Sequence, residues 1–127
     1  MPGVFTIEII AEERIRDKHL AGIVTDLVRT SRHDIHILAK PTAHTAVEVA
    51  LCVEGKLLPA TELWAFLRKQ SEQKNTSRLR FYLGGADGLP EAVKRRADLR
   101  LSVSGLTFPH QLFRVMLVEM LAGTGEV

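Results

Sequence analysis

The chain has 127 residues, the size of one ordinary domain, with 46% hydrophobic and 25% charged residues, a globular balance that excludes wholesale disorder. Seventeen basic and fifteen acidic side chains leave a formal charge of +2, which permits a nucleic-acid partner without demanding one. No apolar run approaches the ~20 residues that cross a bilayer, and Met1-Pro2-Gly3-Val4-Phe5 carries no basic leader pattern, so a cytoplasmic protein with no membrane association is expected.

Residues 5–10 (FTIEII) are short and β-branched and predict a first strand. Leu20, Ile23, Val24, Leu27 and Val28 then recur on one face of a helix, with Asp17 placed to cap it and an end near Thr30-Ser31. Residues 34–39 (DIHILA) predict a second strand, stopped by Pro41. Residues 46–53 (AVEVALCV) put Val47, Val49, Leu51 and Val53 on one face, with mostly small and apolar residues on the other. That pattern fits a strand covered on both sides, after which Glu54-Gly55-Lys56 turns the chain. A helix from Thr61 to about Lys74 points Leu63, Phe66 and Leu67 inward.

Leu79, Phe81 and Leu83 alternate in the next strand, which ends at Gly84-Gly85, and Pro90 opens a short helix in whose first turn a missing N–H costs nothing. Leu99, Leu101 and Val103 give a last strand, and residues 109–122 a helix that is apolar nearly all round. Five strands alternating with four helices predict an α/β fold: one parallel sheet with helices on both faces, in a single domain over residues 1–127.

Five histidines show no spacing that implies a metal, and they read as strand-edge groups in water. The one cysteine, Cys52, has no evident partner base and reads as a small core residue. More informative are three strand ends. Gly84-Gly85-Ala86-Asp87-Gly88 joins a strand to a helix, as does Ser104-Gly105-Leu106-Thr107-Phe108-Pro109, and residues 51–55 end a third strand. Open α/β sheets bind ligands at such carboxyl ends, where glycines let main chain approach closely. The small and apolar mixture suits a flat heteroaromatic ring read by backbone amides and carbonyls. His110 and Arg114 lie four apart on one face of the last helix. Either orients a base or contacts phosphate, or His110 caps the helix while Arg114 bridges subunits through a carboxylate such as Glu119. Lys94, Arg95, Arg96 and Arg100 form either an RNA-facing patch or a solvated face.

These residues carry a resemblance. Gly84-Gly85, Leu101-Ser102, Leu106-Thr107, Pro109-His110, Arg114 and Glu119, with Leu51-Cys52-Val53-Glu54-Gly55-Lys56 upstream, stand in the order and spacing of the RlmH-type SPOUT methyltransferases. The resemblance implies a parallel α/β domain with a C-terminal trefoil knot, a homodimer, and S-adenosyl-L-methionine bound in the knot. It implies methylation of N3 of a pseudouridine in large-subunit ribosomal RNA, on the ribosome or its RNA, with no metal. By the same resemblance the cofactor meets Leu51, Gly85, Ser104, Gly105, Leu106, Thr107, Phe108 and Pro109, with Gly84 a neighbour.

The sequence departs from that pattern at Cys52, where the family has aspartate, at Ala86 in place of proline, and in the short connection over residues 40–45. It also ends at Val127 without the family's Tyr-His tail, which implies a C-terminally shortened member. The alternative expectation is therefore a non-catalytic knotted dimer that keeps the scaffold as a ligand- or RNA-binding module.

Overall fold

The computed structural model describes residues 4–11, 15–84, 88–102 and 110–122. They form β1 (Thr6–Ile10), α1 (Lys18–Thr30), β2 (Asp34–Leu38), β3 (Val47–Leu57), α2 (Ala60–Lys74), β4 (Arg78–Leu83), α3 (Glu91–Arg96), β5 (Leu99–Ser102) and α4 (His110–Ala122). The strands build one all-parallel sheet in the order β2-β1-β4-β3-β5, the expected α/β class.

Local chemistry sets the helix ends. Asp17 caps α1, its Oδ1 accepting from the His19 N–H at 2.8 Å and the Leu20 N–H at 3.1 Å, which satisfies two of the donors a helix start leaves open. Asn75 ends α2 in the left-handed conformation at φ 54°. Pro59 and Pro90 precede α2 and α3, where extended backbone feeds the first turn.

The strand order fixes which face each connection covers. Parallel crossovers are right-handed, so connections stepping in opposite directions across the sheet lie on opposite faces. β1 to β2 and β3 to β4 step one way, placing α1 and α2 on one face. β2 to β3 and β4 to β5 step the other way, placing the 39–46 connection and α3 on the second face. α4 packs against α1.

The helix-rich face is apolar. Ile7, Ile9, Val47, Val49, Leu79, Phe81 and Leu101 meet Val24 of α1, Leu63, Trp64 and Leu67 of α2, and Leu117, Val118 and Leu121 of α4 in one core. Phe66 is only half-buried, and Ile23, placed on the core face of α1 by its spacing, is 47% exposed. Trp64, by contrast, is fully buried and stacked on His33 at 5.1 Å and on Phe5 at 6.0 Å. His33 thus corrects the expectation of water-exposed histidines: it is buried, and its Nδ1 accepts the Phe5 N–H at 3.0 Å. The acceptor role leaves its proton on Nε2 in the neutral ring.

The second face is charged. Glu8, Arg80 and Glu48 stand side by side in register on β1, β4 and β3. Arg80 donates from Nε to Glu8 at 2.7 Å and from Nη1 to Glu48 at 2.8 Å. Its Nη2 reaches the His44 carbonyl at 2.6 Å and Thr42 Oγ1 at 3.1 Å, so the 39–46 connection lids the pair. Thr42 also donates to Glu8, and Arg78 holds the same carboxylate at 2.7 Å. Tyr82 and Arg96 complete the Glu48 shell at 2.7 and 3.2 Å. Burial raises the Glu8 carboxyl, but hydrogen bonds from Arg80, Thr42 and Arg78 outweigh it and hold it at about 2.

Candidate ligand site at the strand ends

The carboxyl ends of β3, β4 and β5 converge. Leu51 is level with Leu83 of β4 and with Leu101 of β5. The expected turn at Glu54-Gly55-Lys56 is instead part of β3, which breaks register over 52–55 and pairs again, Lys56 with Leu101 and Leu57 with Ser102. The break brings Gly55 onto the β5 main chain. A Cβ there would stand 2.6 Å from the Leu101 carbonyl carbon and 2.8 Å from that of Arg100, a close approach only glycine permits.

Gly84 is needed for a similar reason. A Cβ on it would lie 2.6 Å from the carbonyl carbon of Gly88, and Gly88 itself has φ +77°. The loop therefore closes on its own backbone at Gly84. Leu51 turns its side chain into the apolar core at 6% exposure, while its main chain stands at the strand end beside Leu83. Gly85 and Ser104, Gly105, Leu106, Thr107, Phe108 and Pro109 lie outside the described residues, and with them the path of any knot. His110 opens α4, though its side chain is also outside the description; Arg114, one turn on, is buried at 5% exposure and Glu119 is exposed.

Cys52 sits half-buried within the register break. Burial and the neighbouring Glu54 carboxylate push its thiol up to about 11, so it stays protonated and unreactive at neutral pH. Glu54 is held by Lys94 of α3 at 3.1 Å. Among the described residues, no group of three His, Cys, Asp or Glu is placed to hold a metal, and no helix is long and apolar enough to cross a membrane.

Beside the break lies a cleft of about 620 Å³ between β3, α3 and β5. Lys56, Lys94, Arg95 and Arg100 line it with Glu54 and Asp98. The spacing of residues 94–100 suggested a basic patch; Lys56 joins it only because β3 continues past its apparent turn. Arg96 faces elsewhere, over the Tyr82 ring at 5.6 Å and toward Glu48.

An open all-parallel sheet covered on both faces defines the α/β class, whose members commonly take ligands at the carboxyl ends of the strands. Residues 5–121 match the family model described as "Predicted SPOUT methyltransferase", and the chain belongs to the SPOUT methyltransferase family. It is similar to proteins named "Ribosomal RNA large subunit methyltransferase H". That of Synechococcus sp. (strain CC9605) is 39% identical over 106 residues, 82% of this chain and 71% of that protein. That of Bifidobacterium adolescentis is 40% identical over 84 residues, 66% of this chain and 52% of that protein. That of Coprothermobacter proteolyticus is 28% identical over 124 residues, 91% of this chain and 88% of that protein. Against the Bifidobacterium adolescentis and Lactococcus lactis relatives, the chain spans about half the length of the protein it matches.

Proposed function

We propose that the chain is an S-adenosyl-L-methionine-dependent methyltransferase acting on N3 of a pseudouridine in large-subunit ribosomal RNA. The observation that carries this reading is the family match over residues 5–121, which spans every strand that meets at the carboxyl edge. The described part of that edge is compatible with such a cofactor: β3 and β4 are level with one another at Leu51 and Leu83, and Gly84 and Gly88 bound the loop that carries Gly85. When bound, S-adenosyl-L-methionine supplies an activated methyl group.

The protein's task is alignment and exclusion of water. Leu51, Gly84 and Gly85, with Ser104, Gly105, Leu106, Thr107, Phe108 and Pro109, form the cofactor side of the site in this reading. A uracil-type N3 must lose a proton, and His110 and Arg114 are the candidates to assist or to orient the base. The reading includes a homodimer, a cytoplasmic location and a C-terminal trefoil knot.

Transfer of tritium from methyl-labelled S-adenosyl-L-methionine to purified large ribosomal subunits tests it. Label recovered at N3 of one pseudouridine is the expected result. Cofactor and RNA binding without transfer would overturn the catalytic reading in favour of a binding module.

A further inference from the structure

We propose that the cleft between β3, α3 and β5 holds the phosphate backbone of the RNA strand that enters the site, with Lys56, Arg95 and Arg100 as its phosphate contacts; this rests on the RNA-directed reading above. The carboxylates in the cleft are already taken. Asp98 accepts from Lys74 Nζ at 2.6 Å and from the Glu48 N–H at 2.8 Å, while Glu54 is bound to Lys94 at 3.1 Å. Lys56, Arg95 and Arg100 are exposed and make no ion pair among the described residues. They come from three different elements, β3, α3 and β5, so a local helix-face repeat does not account for their meeting.

The cleft also has the right position. Its Glu54-Gly55-Lys56 wall is the segment that follows Leu51 at the strand ends, so a strand bound there lies beside the proposed methyl-transfer site. At about 620 Å³ it takes a nucleotide-sized group, and arginine forks match phosphate oxygens without needing base identity. An acidic peptide fits less well, because a protein partner needs aromatic or apolar anchors and the cleft offers none larger than Leu99.

The test is fluorescence anisotropy of a labelled single-stranded fragment of large-subunit ribosomal RNA against the wild type and the Lys56→Gln/Arg95→Gln/Arg100→Gln variant, over a series of KCl concentrations. Each phosphate contact on a single strand adds ~0.7 to the salt slope, so the triple variant should lose about 2 from the slope and at least ~10-fold in affinity. Arg95→Lys/Arg100→Lys should retain the slope, since charge is kept. Calorimetric titration with S-adenosylhomocysteine should give the same affinity in all three proteins. A triple variant with the wild-type slope and affinity overturns the cleft assignment while leaving the RNA reading intact. A wild type that binds S-adenosylhomocysteine but no RNA overturns both. Tighter binding of polyglutamate than of RNA overturns the proposal in favour of an acidic protein partner.

Discussion

The two faces of the sheet solve the same problem, burial of a parallel sheet, by opposite means. Under α1, α2 and α4 the odd-numbered residues of β1, β3 and β4 form a dry core of Ile7, Ile9, Val47, Val49, Leu79 and Phe81. Two-residue alternation sends their neighbours Glu8, Glu48 and Arg80 to the other face, where a short connection and a six-residue helix supply polar partners. The apolar face is held by area and shape, and the charged face by complete pairing. A fully buried carboxylate is tolerated because Arg80, Arg78 and Thr42 all donate to it.

Single substitutions at two adjacent residues of β4, one facing each side of the sheet, separate the two faces with the largest effects. Phe81→Ala should cost about 3–5 kcal/mol through the cavity it leaves. Arg80→Ala should cost a similar ~3–5 kcal/mol because Glu8 is left buried without its main partner. Urea unfolding at several pH values separates them. In the wild type the Glu8 carboxyl titrates at about 2 rather than 4.5, so its contribution is complete above pH 4.5 and is lost as pH falls toward about 2. Glu48 is lowered too, its hydrogen bonds from Tyr82, Arg80 and Arg96 outweighing burial, and acts in the same direction. Arg80→Ala should therefore flatten the acid limb, whereas Phe81→Ala should shift the whole profile downward in parallel. Parallel profiles for both would contradict the account of the charged face.

Gly55→Ala sharpens the contrast at the sheet edge. With no room for Cβ against Leu101 and Arg100, it should destabilise by about 1–3 kcal/mol, and thermal unfolding checks it. A Tm equal to wild type would mean the 52–55 segment moves away from β5 at no cost. Tyr82→Phe should have the smallest effect, about 0.5–1.5 kcal/mol, since Glu48 keeps Arg80 and Arg96 after losing the hydroxyl.

Much of the fold was legible because it is local. The Asp17 cap, the α1 stripe and the alternation of Leu79, Phe81 and Leu83 each occupy a few consecutive residues. The charged face was visible in principle, since Glu8, Glu48, Arg78 and Arg80 all fall at every second place within strands. Their meaning depends on which strands are neighbours, and that comes from topology. The continuation of β3 was hidden for the same reason. Glu54-Gly55-Lys56 has the composition of a turn, and only its pairing with Leu101, far along the chain, makes it strand. Trp64 and His33 find each other across two connections, so neither position announces burial by itself. Of the site, the glycine loop and basic residues 94–100 could be read directly, but Lys56 could not.

Whether the convergent strand ends hold the cofactor is decided by calorimetric titration of the wild-type protein with S-adenosyl-L-methionine and S-adenosylhomocysteine. Micromolar binding, on the order of −8 kcal/mol with one site per chain, is the expected result. Absence of binding to either compound would contradict it.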